Sequence, residues 1–128
     1  MDQKVFTLQE VNEALPFISS LIERIWKKKK EMTRLHENIL TAELIAKGEK
    51  HVVQESKRLE DLIVSVAMDL KEIEQEGCVI RDLEKGIVDF YGEYSGQTVF
   101  FNWVYPEKTV EYWHALDITH LERRPLSD

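Results

Sequence analysis

The chain has little of what most small functional sites are built from. A single cysteine, Cys78, among 128 residues excludes an intramolecular disulfide and fits a reducing compartment. No apolar run is long enough to cross a bilayer, and the opening residues MDQKVFTLQE have no apolar signal region. A cytoplasmic protein without membrane association is therefore expected. Basic residues are outnumbered, 17 Lys and Arg against 24 Asp and Glu, and the net charge of -7 argues against a nucleic-acid-binding face. There is no Gly-rich phosphate loop, nucleophile elbow or paired Cys-x-x-Cys, and no cofactor is implied. Low-complexity linkers and internal repeats are absent too, so residues 1–128 read as one domain with a modest core.

Glycine and proline are scarce, at five and three, and they punctuate the chain. Thr7-Leu8-Gln9-Glu10 has the spacing of a capping box, with Phe6 and Val11 placed as a hydrophobic staple. The short helix that follows is predicted to end or kink before Pro16, which suits the first position of a second, longer helix. In that helix Leu21, Ile25, Lys28, Met32, Leu35, Ile39, Ala42 and Ala46 alternate steps of four and three, a heptad seam with one polar exception. Gly48 supplies a left-handed stop. The pattern then resumes at Val52, Ser56, Leu59, Ile63, Val66, Leu70 and Ile73, and Gly77 ends it. Folding back about Gly48 sets Ile39 near Leu59, Leu35 near Ile63, Met32 near Val66 and Ile25 near Ile73, an antiparallel helical hairpin over residues 1–77. Ile18, Ile22, Trp26, Leu40, Leu62 and Met68 widen the apolar stripe beyond what two helices need, so both the sheet, near the open end, and a second copy, in a four-helix homodimer, are expected to cover it.

Residues 78–128 change character. Cys78–Asp82 and Ile87–Tyr91 read as strands about a turn at Leu83–Gly86, with a second turn from Gly92 to Gly96. Thr98–His114, TVFFNWVYPEKTVEYWH, reads as a β-hairpin that turns at Tyr105–Lys108. In that register Trp103 faces Val110, Phe101 faces Tyr112 and Val99 faces His114, while Phe100, Asn102, Glu111 and Trp113 share the other side. Both sides carry aromatics, so both are expected to be covered at least in part. The fold class is α+β: a short N-terminal helix, a long antiparallel helical hairpin and a small four-stranded antiparallel β-meander. Residues 115–128 are expected to wrap over the sheet.

The run Asp82–Phe90, the lone Trp103, Tyr112-Trp113-His114 and Arg123-Arg124-Pro125 resemble the prokaryotic domain-of-unknown-function family 2203. Phe6-Thr7 with Glu10, Asn12, Leu15 and Pro16 resembles that family's start. The resemblance covers nearly the whole chain and departs from the family pattern at Asn102, Ala115 and residues 119–122. It implies a small soluble bacterial or archaeal protein and carries no assigned activity.

Potentially chemical side chains gather near the end of the sheet. Trp103, Tyr112, His114, Arg123 and Arg124 combine aromatic and basic groups as ligand sites commonly do. Asp82 and Asp89 stand ready to pair with the arginines, which makes the plain reading of Arg123-Arg124 an anchoring ion pair. His114, Asp117 and His120 form an H-x-x-D-x-x-H string of metal-ligating types, but that spacing converges on neither a helix nor a strand, so a hydrogen-bonded histidine is the better expectation. Paired carboxylates from Asp82, Asp89 and Glu111 are not brought to any required separation. Cys78 follows a helix C-terminus, where the dipole disfavours a thiolate. Lys27–Lys30 covers more than one helical turn and reads as a solvated face, with Lys28 in the seam opposite Leu70. No catalytic residue stands out. The leading expectation is a non-catalytic homodimeric interaction or scaffold protein. The alternative is a small-molecule or anion-binding protein, or an enzyme, with its site at the sheet end.

Overall fold

A computed structural model of the chain describes residues 3–44, 49–117 and 122–126. Two helices, α1 (Leu8–Leu44) and α2 (Glu49–Gln75), precede strands β1 (Val79–Asp82), β2 (Ile87–Tyr94), β3 (Gln97–Val104), β4 (Tyr112–His114) and β5 (Arg124–Pro125). The class is α+β, with one five-stranded antiparallel sheet in the order β1-β2-β3-β4-β5. The chain divides into two compact units, Met1–Ile22 with Ile73–Asp128, and Glu23–Glu72.

In the first unit the capping box closes as the spacing predicts. The Glu10 amide donates to Thr7 Oγ1 at 3.1 Å, and the Thr7 amide donates to Glu10 Oε1 at 2.8 Å. The bond from the Thr7 amide to its charged form holds the Glu10 carboxyl below its usual pKa. The expected break at Pro16 does not occur: α1 runs through it as one helix of 37 residues. An internal proline costs about 3 kcal/mol and leaves the Asn12 carbonyl without its helical donor. Val11, Leu15, Ile18, Leu21 and Ile22 are all buried across the proline, and each such side chain returns about 1.5–3 kcal/mol. Packing outweighs the lost hydrogen bond.

The sheet corrects the expected meander in three places. β2 runs past Gly92 to Tyr94 and turns at Ser95-Gly96, both at positive φ, in a two-residue hairpin that pairs Tyr94 with Gln97. Gly92 stays in the strand because the Phe101 ring crosses it, with ring carbons 2.1 and 2.4 Å from where a Cβ would stand. The β3–β4 register is offset by one residue: Phe101 faces Trp113, Phe100 faces His114 and Asn102 faces Tyr112. The cause is the Val110 amide, which donates to Asn12 Oδ1 at 2.8 Å and not to Trp103, so the ladder starts later than the turn suggests. A one-residue slip exchanges the faces. Val88, Phe90, Val99, Phe101 and Trp103 form a buried face, while Asp89, Asn102, Phe100 and His114 are buried on the other. The third correction is β5, formed by Arg124 and Pro125 in the expected wrapping segment; the Leu126 amide donates to the Glu111 carbonyl at 2.8 Å beside it.

In the second unit, bonds from α1 to α2 pair rising positions with falling ones. Lys28 Nζ donates to Ser65 Oγ and Asp69 Oδ2, both at 2.6 Å, and Arg58 Nε donates to Glu31 Oε1 at 3.3 Å. The expected seam on α2 needs correction. Asp69 is buried where Leu70 was expected opposite Lys28, and Ile63 is half exposed, while Leu35 is fully buried. Alternate seam positions fall one residue earlier, at Leu62 and Asp69, because Lys28 in the seam takes an acidic partner in preference to leucine. Ala46 and the bend at Gly48 lie outside the described residues.

Candidate functional site

The register of β2, β3 and β4 fixes the main polar cluster. Asp89 lies directly opposite Asn102, and His114 is one strand further on, opposite Phe100. Side chains of cross-strand partners share a face, so these three converge. All three are buried. Asn102 Nδ2 donates to Asp89 Oδ1 at 2.8 Å. Arg81 Nε donates to Asp89 Oδ2 at 2.7 Å, and His114 Nε2 lies 2.9 Å from the same oxygen. His114 Nδ1 lies 2.9 Å from the Ala115 carbonyl. Both ring nitrogens therefore face acceptors.

The cluster continues to the loop after β3. Arg123 Nη1 donates to Asn102 Oδ1 at 3.0 Å, and its two terminal nitrogens grip Glu107 Oε1 and Oε2 at 3.2 and 2.9 Å. Such a two-point fork fixes geometry as well as charge. Glu107 in turn accepts from the Val104 amide through Oε1 at 2.8 Å, and its carbonyl accepts from Trp103 Nε1 at 2.7 Å. The Arg123 guanidinium sits 3.8 Å over the Tyr112 ring, and that of Arg81 sits 4.7 Å over Phe100.

Of the residues expected at the sheet end, Tyr112, His114, Arg123 and Asp89 do come together. Trp103 lies on the opposite face, fully buried, and reaches the cluster only through its indole nitrogen. Arg124 is exposed and lies 5.7 Å over Trp113, on the other side. Asp82 caps its turn by accepting from the Lys85 amide at 3.0 Å. Arg123 pairs with Glu107, not with either aspartate. Asp117 is exposed, and His120 lies outside the described residues, among which no metal-ligating group of three is found. Sequence reading missed Arg81, Asn102 and Glu107. Counting outward from a Ser95-Gly96 turn would have placed Asn102 against Asp89, and alternation along β1 would have put Arg81 on their face. Cys78 is buried, donates to the Ile73 carbonyl at 3.3 Å, and burial pushes its thiol up to about 12.

Fold and cluster together define a small α+β protein whose antiparallel sheet carries a buried, charge-balanced hydrogen-bond network on one face. Over residues 4–126 the chain matches the family of uncharacterized conserved proteins known as domain of unknown function 2203, and it belongs to that family. No curated protein and no solved structure matches it.

Proposed function

We propose that this is a prokaryotic, cytoplasmic, non-catalytic interaction protein that works as a homodimer through the α1–α2 hairpin. The observation that carries this reading is a second apolar stripe on α2. Val53, Val64 and Met68 are 60%, 59% and 62% exposed. At about 100° per residue the three fall within one narrow arc, opposite the side on which Asp69 and Ile73 are buried. Leu40 and Leu44 add exposed apolar surface on α1. A helix apolar on two sides needs two partners, and one chain supplies only one.

The sheet-end cluster supports the non-catalytic half of the reading. Both nitrogens of His114 face acceptors, Asp89 accepts from its neighbours through both oxygens, and Glu107 holds Arg123, so these groups are committed chiefly to one another. Size-exclusion chromatography with light scattering tests the proposal. A dimer is expected at micromolar concentration, reduced to monomer by Val64→Asp with Met68→Asp; a clean wild-type monomer overturns it.

A second reading has its own support, since Tyr112, His114, Arg123 and Asp89 do gather on one face with Tyr112 and Arg123 partly exposed. It makes that face a small-molecule or anion site. Native mass spectrometry of protein from its own host would find a retained ligand, and its loss in Arg123→Gln would favour this reading over the first.

A further inference from the structure

We propose that the groove between α1 and α2 in the unit Glu23–Glu72 binds a small, multiply charged phosphate-bearing anion. The groove has a volume of about 490 Å³ and is lined by Arg24, Lys27, Lys28, Lys30, Arg34 and Arg58, with Glu31 and Leu62. The groove is open and its surface is mostly apolar, so the long basic side chains line it chiefly with their stems. On α1, positions 24, 27, 28, 31 and 34 recur at steps of three and four and so share one side of the helix. Three of the four consecutive lysines thus join one patch, which the run alone did not suggest.

The charges divide into committed and free ones. Lys28 and Arg24 face Asp69, at 2.6 and 3.8 Å. Glu31 Oε1 and Oε2 accept from Arg34 Nη2 and Nε at 2.6 and 3.0 Å, and Oε1 also accepts from Arg58 Nε. These guanidiniums hold the Glu31 carboxyl down at about 2, so it stays ionised and keeps both arginines in place at neutral pH. Arg58 keeps both terminal nitrogens without a described partner, and Lys27 and Lys30 have none among the described residues. Four of the six cations are therefore tethered while several donors remain available, an arrangement that binds an oxyanion with little reordering.

Size and surroundings favour a small ligand over a polymer or a membrane. The basic stripe spans roughly 15 Å along α1, too short for the many phosphate contacts that duplex binding rests on. The rest of the chain is strongly acidic, since the whole carries -7 despite this patch, and it would repel an extended anionic surface.

Isothermal calorimetry with inorganic tripolyphosphate tests the inference, with pyrophosphate as the shorter probe. Saturable binding at one site per chain is expected, weakened by salt and weakened at least about tenfold in Lys27→Glu/Lys30→Glu. Arg58→Gln should weaken it by a smaller factor. Circular dichroism melts that match the wild type show that the exposed lysine changes leave the fold intact. No saturable heat at millimolar probe overturns the inference, as does equal affinity in the double variant. So does binding only to duplex DNA, or only to vesicles of equal parts phosphatidylglycerol and phosphatidylcholine. Oligomeric state is measured separately, so the dimer and the groove can fail independently.

Discussion

Asp89 accepts from Arg81, Asn102 and His114 at a position with no exposure to solvent. Removing one partner of a buried ionic pair strands the others, at about 3–5 kcal/mol. Asp89→Asn should therefore lower the free energy of unfolding by about 3 kcal/mol in urea titrations, with part of the loss recovered when His114→Phe is added. A change under about 1 kcal/mol would mean that the network carries little of the fold's stability. Glu31 gives a pH-dependent counterpart. Its carboxyl is held from 4.5 down to about 2 by Arg34 and Arg58, so its contribution is present above the unfolded value and is lost as pH falls through about 2. Carbon-detected NMR titration should place its midpoint near 2 and move it upward in Arg58→Gln. The cluster was half legible in the chain: Asp89, His114, Tyr112 and Arg123 were expected near each other, but the partners that neutralise them were not. Glu107 sits in a turn signal, where acidic residues are common, and nothing local marks it as the clamp on Arg123.

Among the elements, those set by local rules were legible and those set by distant side chains were not. The capping box and the turn at Leu83–Gly86 follow from neighbours in sequence. The β3–β4 register depended on Asn12, far away in the chain, taking the Val110 amide. The continuity of α1 through Pro16 depended on what its apolar side is buried against. The α2 seam shifted because Asp69 follows Lys28 inward. Gly92 belongs with these: its strand neighbours predict a turn, and only the Phe101 ring lying across it explains why the strand continues. Gly92→Ala should destabilise by about 1–3 kcal/mol through overpacking. Adding Phe101→Leu should cost less than the two changes summed, measured by the same urea titrations.

For the whole molecule, the α+β class was readable from composition shift and periodicity, since the helical pattern stops at Gly77 and the alternating one begins just after it. A dimer leaves a mark beyond chromatography. If the α2 stripe is covered by a second copy, the melting temperature must rise with protein concentration, and it must lose that dependence in the Val64→Asp/Met68→Asp variant. Scanning calorimetry over two decades of concentration reads this directly.

The first strand of the sheet is only four residues long against eight in its neighbour, and Phe6 occupies the vacant stretch, its amide donating to the Tyr91 carbonyl at 2.7 Å and its ring standing edge-on to Phe90. A proteolytic nick before Thr7 would unplug that margin and leave a short row of unclaimed amides and carbonyls beside bared phenylalanine, the template on which foreign strands assemble. Phe6 thus closes a stretch of sheet margin that would otherwise stay open to strand addition.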